Sequence, residues 1–208
     1  MSDPNSLPAG RPEPAADPCE DLSPVEKADV ELSRRLARHR GHPLARAVKA
    51  AAGIGDQEPL VALSVTTIGL GLGRRDRRLT ATGVRMLASL FVAIAAKTAL
   101  KRLVLRTRPH VVLDEGVYEL SAFGPNEGPQ QSFPSGHTAG SVAVARAVAR
   151  RHPQAAPAAY VGAAAIAIAQ VPTAKHFATD VLAGAALGYA SDALVAGLVP
   201  ALREDADG

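Results

Sequence analysis

The stretch 169-AQVPTAKHFATD-180 interrupts an alanine-rich region that otherwise reads as featureless apolar helix. Within it His176 precedes Asp180 by four residues, a spacing that stacks two side chains on one helix face. A carboxylate so placed can accept a ring N–H of the imidazole, which is the base-plus-orienter pair of the catalytic triads. The same residues also suit a plain helix start with solvated polar groups. The choice depends on what the rest of the chain brings to them.

At 208 residues the chain is one domain by length and can bury a sizeable core. Hydrophobic residues make up 47 %, but they are mostly Ala, Val and Leu, with no Trp, three Tyr and four Phe. That composition points to closely packed helices, in a membrane or in a soluble bundle. A net charge of +3, with arginines in separate clusters, argues against nucleic acid as a partner. The single Cys19 excludes an intrachain disulfide. The N-terminal residues lack a basic segment followed by an apolar one, so no cleavable signal peptide is expected.

Residues 1–24 are rich in Pro, Asp, Glu and Ala and read as a disordered tail. From Ser23 a capping box with Pro24 at the first helical position and Glu26 after it starts an amphipathic helix, with Val30, Leu32 and Leu36 as a partial apolar face. Its basic end, Arg34 to Arg40, suits water or a lipid headgroup surface. A second short amphipathic helix is expected from Pro43 to Ala52. Five apolar segments follow, at about Pro59–Gly73, Leu79–Leu100, His137–Ala149, Ala155–Val171 and Ala178–Val199. A helix crossing the ~30 Å hydrocarbon layer needs about 20 residues, so the second and fifth are long enough and the others are marginal. The basic loops at 74–78 and 150–152 are separated by two crossings, which puts them on one side, and the positive-inside rule makes that side cytoplasmic. The expected domain spans 25–200, with a polar tail at 201–208.

Three segments at the opposite end carry unusual chemistry. Lys101, Arg102, Arg106 and Arg108 cluster in KRLVLRTRP, with Lys97, Lys101 and Arg108 on about one face. Such a cluster can snorkel to an interface or grip a phosphate. In SFPSGHTAG, residues 132–140, Ser135 can cap a helix, Gly136 lets the backbone approach a ligand, and the helix start offers unpaired N–H groups. His137 then sits in the first turn, where a cation is disfavoured unless an anion is bound. With His176 and Asp180 these form an oxyanion site with a proton donor. Zinc is a rival reading of two histidines and an aspartate, but the surrounding positive charge opposes a cation, and no metal is expected.

The ordered set K-x6-R-P at Lys101 to Pro109, P-S-G-H at Pro134 to His137, and H-x3-D at His176 to Asp180 resembles the type 2 phosphatidic acid phosphatases. Their superfamily includes bacterial acid phosphatases and vanadium haloperoxidases. The resemblance covers roughly Pro43 to Val199 and implies an all-α, PAP2-like bundle, membrane-embedded, with about five apolar helices after the amphipathic ones. It implies His176 as the nucleophile forming a phosphohistidine, Asp180 as its orienter and His137 as proton donor to the leaving oxygen. Lys101, Arg108, Ser135 and the Gly136 amide would hold the phosphoryl oxygens. The implied reaction is cofactor-free, metal-independent hydrolysis of a lipid phosphomonoester or an isoprenyl or lipid pyrophosphate. The implied place is the inner membrane, multi-pass, with the site facing outward and the loop from His110 to Phe133 as lid or substrate wall.

One position departs from the pattern. The family's third motif opens with Ser-Arg, where this chain has Ala169 and Gln170, and the Gln170 amide can bind a phosphoryl oxygen by donating an N–H but carries no charge. Loss of that charge-assisted contact costs about 3 kcal/mol, on the order of a hundredfold in rate, unless Lys175 supplies the charge. The departure supports one alternative, a degenerate member that binds a phosphate headgroup without turnover. A vanadate-dependent haloperoxidase is a more distant one.

Overall fold

The computed structural model describes residues 22–38, 53–123 and 128–199. Most of the expected tail at 1–24, the expected helix from Pro43 to Ala52 and the segment 201–208 lie outside the described residues. Among the described residues there are seven α-helices: α1 (Pro24–Ala37), α2 (Gln57–Arg74), α3 (Arg77–Leu103), α4 (Pro109–Glu115), α5 (Gly136–Arg151), α6 (Ala156–Ala169) and α7 (Ala178–Leu198). The five longest after α1, namely α2, α3, α5, α6 and α7, fall on the five apolar segments. Only α3 and α7 are long and apolar enough to cross a membrane by length and composition.

Local signals set the helix boundaries. Ser23 and Glu26 form the expected capping box, with the Ser23 N–H donating to Glu26 Oε2 at 2.9 Å. Asp76 caps α3 by accepting the Leu79 N–H at 2.9 Å, and Ser135 caps α5. At the start of α7 the Asp180 carboxylate accepts the Phe177 N–H at 2.8 Å.

Helix α3 is central, packed against α2, α5 and α7, while α5 also packs against α6. One core cluster joins Leu60, Met86, Leu90, Val144 and Ala147 from α2, α3 and α5. A second is made of alanines, Ala93, Ala139 and Ala143, with Leu187 of α7 against them. The alanines let the backbones come close, and the glycines of α7 bring them closer still. A Cβ on Gly184 would sit 2.4 Å from the Ser135 carbonyl oxygen, and one on Gly188 would sit 2.3 Å from that of Ala139. This G-x-x-x-G pair seats α7 directly on the start of α5. As a result the residues just before the two helices, His176 and Ser132 to Ser135, share one end of the bundle.

Between α3 and α5 the chain makes an antiparallel ribbon of β1 (Val104–Arg106) and β2 (Leu120–Ala122), in the register Leu105↔Ser121, with α4 between them. The sequence showed no strand here, because three-residue strands are too short for a period-two pattern to register. Helix α1 lies across this region and buries Asp29, Val30 and Ser33, whereas Leu32 is exposed. The loops at 74–78 and 150–152 meet at the other end of the bundle: the Arg78 guanidinium donates to the Arg151 carbonyl, and Thr82 Oγ1 lies 2.9 Å from His152 Nε2.

Candidate active site

The three motif segments are tied together by backbone before any side chain is considered. Ser132 N–H donates to the Arg106 carbonyl at 2.9 Å, Arg108 N–H to the Pro129 carbonyl at 2.9 Å, and Ser135 N–H to the Asp180 carbonyl at 3.0 Å. The turn carrying His176 hangs from one oxygen, since the N–H groups of Lys175 and His176 both donate to the Gln170 carbonyl at 3.2 and 3.3 Å. Around this scaffold lies a cavity of about 290 Å³ into which Lys97, Lys101, Arg108, Gly136, His137 and His176 face.

His176 is buried, and its Nδ1 lies 2.7 Å from the Ser132 carbonyl oxygen. A carbonyl can only accept, so Nδ1 carries a proton, and in the neutral ring Nε2 keeps its lone pair. Burial above all, and then the charges of Lys101 and Arg108, hold this imidazole well below the ordinary histidine range, with the Ser132 bond opposing them. The neutral imidazole is therefore the favoured form, set beside fixed positive charge.

Asp180 stands differently from the expectation that it orients His176. Its Oδ2 is 3.9 Å from His176 Nδ1, beyond hydrogen-bond reach. Arg106 Nη1 donates to Oδ1 at 2.7 Å, and Ser132 Oγ donates to Oδ2 at 2.6 Å. Asp180 thus acts one step removed, by fixing Ser132, whose carbonyl holds the ring. Arg106 also donates to Asp29 of α1 at 2.9 Å, and its guanidinium lies 4.2 Å from the Phe177 ring centroid. Burial lowers its pKa, but Asp180 and Asp29 outweigh burial and raise it above the ordinary value.

His137 faces His176 across the cavity, with ring centroids 6.2 Å apart and planes at 65°. Its Nε2 lies 2.6 Å from Asp56 Oδ1. Lys101 Nζ donates to the Gln131 carbonyl, so that part of the His110 to Phe133 segment forms one wall of the cavity. Arg108 Nε is buried without a hydrogen-bond partner, and burial lowers its pKa, though not enough to deprotonate a guanidinium. The side chain of Lys97 covers Gly136, where a Cβ would meet its Cδ at 2.6 Å, so the glycine leaves that cation room.

Two of the expected phosphate-binding residues do not line the cavity. Ser135 is fully buried, and its Oγ accepts from Thr138 Oγ1 at 3.0 Å. Gln170 is fully buried as well, its Nε2 donating to the Ile166 carbonyl at 3.0 Å within its own helix. Three residues that the sequence did not single out shape the site. Ser132 opened the Pro-Ser-Gly-His stretch and Arg106 lay in the basic cluster, so both were visible without a role. Asp56 is distant in sequence from either histidine and gave no local sign.

The PAP2 superfamily model matches residues 82–204, which take in all three motif segments. The chain belongs to the PAP2 superfamily. Among solved structures, this PAP2 protein is similar to the first transmembrane PAP2 type phosphatidylglycerolphosphate phosphatase from Bacillus subtilis. The TM-score is 0.62 at 25 % identity, covering 89 % of this chain and 90 % of that one. It shares its fold with Aquifex aeolicus LpxE, at a TM-score of 0.59 and 20 % identity, covering 86 % and 98 %. No curated protein sequence matches it. Among its described residues the PAP2 bundle is thus all-α apart from the short ribbon, as the resemblance implied.

Proposed function

We propose that this protein is a membrane-embedded phosphatase that hydrolyses a lipid phosphomonoester, or an isoprenyl or lipid pyrophosphate, through a phosphohistidine. The observation that carries the reading is the tautomer of His176: Nδ1–H is committed to the Ser132 carbonyl, which leaves Nε2 as an unprotonated nucleophile beside Lys101, Arg108 and His137. In the first step Nε2 bonds to phosphorus as the P–O bond breaks, and His137 protonates the leaving oxygen. Lys101, Arg108 and the Gly136 amide at the start of α5 stabilise the charge spreading over the phosphoryl oxygens. Water then displaces the histidine, with His137 taking its proton.

A lipid substrate is supported by the surface of the bundle. Val65, Leu72, Phe91, Val161, Ile168 and Leu182 are each more than half exposed, on four different helices. Apolar side chains so exposed on several helices are costly in water and at home in hydrocarbon. A headgroup can then enter the cavity at the helix ends while its acyl or prenyl chain stays in the bilayer. The basic loops at the opposite end favour a site on the outer face of the cell membrane.

Turnover is tested by measuring phosphate release from phosphatidic acid, phosphatidylglycerol phosphate and isoprenyl pyrophosphates by purified protein in detergent. Wild type is expected to hydrolyse at least one, and His176→Ala to lose at least about a thousandfold. Full activity in His176→Ala would refute the mechanism. Binding of all substrates without release would favour the second reading, a headgroup-binding member without turnover, for which the neutral, back-bonded Gln170 is the supporting observation.

A further inference from the structure

Asp56 and His137 come from distant parts of the chain and meet at the cavity, with His137 Nε2 2.6 Å from Asp56 Oδ1. A carboxylate only accepts, so Nε2 carries a proton in this pair. The oxygen sits off the N–H direction, as catalytic contacts often do before substrate binds. Two features separate the contact from a chance surface pair. Asp56 occupies the N-cap position of α2 yet makes no capping bond to it, unlike Asp76 at the start of α3. Its carboxylate has turned from its own helix toward the imidazole. In addition, the turn that carries it is seated against α5 and α6: a Cβ on the buried Gly55 would meet Ile166 Cγ2 at 2.4 Å and His137 Cβ at 3.5 Å.

We propose that Asp56 is the positioning residue for the proton donor, holding His137 through Nε2 so that Nδ1 delivers the proton to the leaving oxygen. This rests on the phosphatase reading above. The other groups facing His137 are Lys175 from the turn before α7, Arg108 from before α4, Lys97 and Lys101 from α3 and the neutral His176. Burial and these charges disfavour an imidazolium here, and Asp56 is the carboxylate that opposes them. The steps balance without a co-reactant. As Nε2 of His176 bonds to phosphorus, the electron pair of the breaking P–O bond goes to the leaving oxygen, which takes the Nδ1 proton of His137. The ring is left neutral, with Nε2–H still on Asp56. In the second step Nδ1 takes a proton from water as its oxygen bonds to phosphorus, and the pair of the P–N bond returns to His176.

The test compares full-length wild type and Asp56→Asn in detergent on two esters. Dioleoyl phosphatidic acid has a poor alkoxide leaving group that needs a proton, and p-nitrophenyl phosphate has a good one that does not. The ratio of kcat on the lipid to kcat on the aryl ester is expected to fall about tenfold in Asp56→Asn, with the same bias in His137→Ala. The double variant should be no slower than His137→Ala alone. Equal losses on both esters, or additive losses in the double variant, would mean a structural role and overturn the proposal. A readout independent of turnover is NMR titration of labelled imidazoles, in which Asp56→Asn should lower the His137 midpoint by about one pH unit. An unchanged midpoint overturns the pairing even if wild type hydrolyses no ester, so failure of this inference can be told from failure of the phosphatase reading.

Discussion

The two ends of the bundle both collect arginine and lysine, and they use them in opposite ways. At the end with the basic loops, the buried Asp192 of α7 receives Arg85 Nε at 2.7 Å and Nη2 at 3.0 Å, with Arg146 at 3.1 Å and Arg150 at 3.2 Å. Arg146 also stacks on Tyr189, 3.3 Å from the ring centroid. These cations are spent on joining α3, α5 and α7. At the other end Lys97, Lys101 and Arg108 face a cavity, and the nearby carboxylates are engaged elsewhere, Asp180 by Arg106 and Asp56 by His137. An end whose cations converge on a buried carboxylate of the protein is a structural joint. One whose cations converge on a cavity is prepared for an anion that the protein does not supply.

The contrast can be broken most directly at Asp192. Asp192→Asn leaves three guanidinium groups around a neutral amide in the bundle interior, and loss of one partner of a buried ion cluster costs about 3–5 kcal/mol. A large fall in Tm of the detergent-solubilised protein is expected, with activity lost only as the fold is lost. A variant with wild-type Tm would show that the cluster does not hold the helices. Lys101→Met is the opposite case. It should cost about a hundredfold in kcat/KM through the lost contact to a developing oxyanion, while Tm holds or rises because a cation has left a crowded pocket. A parallel loss of Tm and activity at Lys101 would erase the distinction between the two ends.

What could be read in the sequence follows the same division. The helices were legible because their apolar runs and caps are local: Ser23 with Glu26, and Ser135 before α5, mark boundaries within a few residues. The cavity lining was legible where motifs are contiguous, at Lys101, Arg108, Gly136, His137 and His176. The partner of each cavity histidine was not. An i, i+4 spacing pairs His176 with Asp180 only if both lie on one regular helix, but α7 begins at Ala178 and His176 sits in the turn before it. There the ring reaches the Ser132 carbonyl, while Arg106 and the Phe177 N–H claim the carboxylate. Asp56 depends on how α2 docks against α5, a tertiary fact with no pattern in the sequence. Gln170 was read as a substitute for an arginine in the pocket, and its back-bond to Ile166 is equally a matter of side-chain packing.

The smallest predicted effect tests the charge balance of the outer end by titration. In the proposed mechanism His176 attacks as the neutral imidazole, and burial together with Lys101 and Arg108 depresses its pKa. The acid limb of kcat/KM, which reports the free enzyme, should therefore lie well below the ordinary histidine value of about 6.5, with activity persisting as pH falls through that value. Stability follows the same sign. Below about pH 6.5 the unfolded chain binds a proton at this residue that the folded one refuses, so this group's contribution to stability is full at neutral pH and declines with acidification. In Lys101→Met one of the depressing charges is gone, and the acid limb should move up toward the ordinary value in whatever activity remains. A limb that stays fixed would assign the depression to burial and Arg108, and Lys101 would then act on the substrate without acting on the nucleophile.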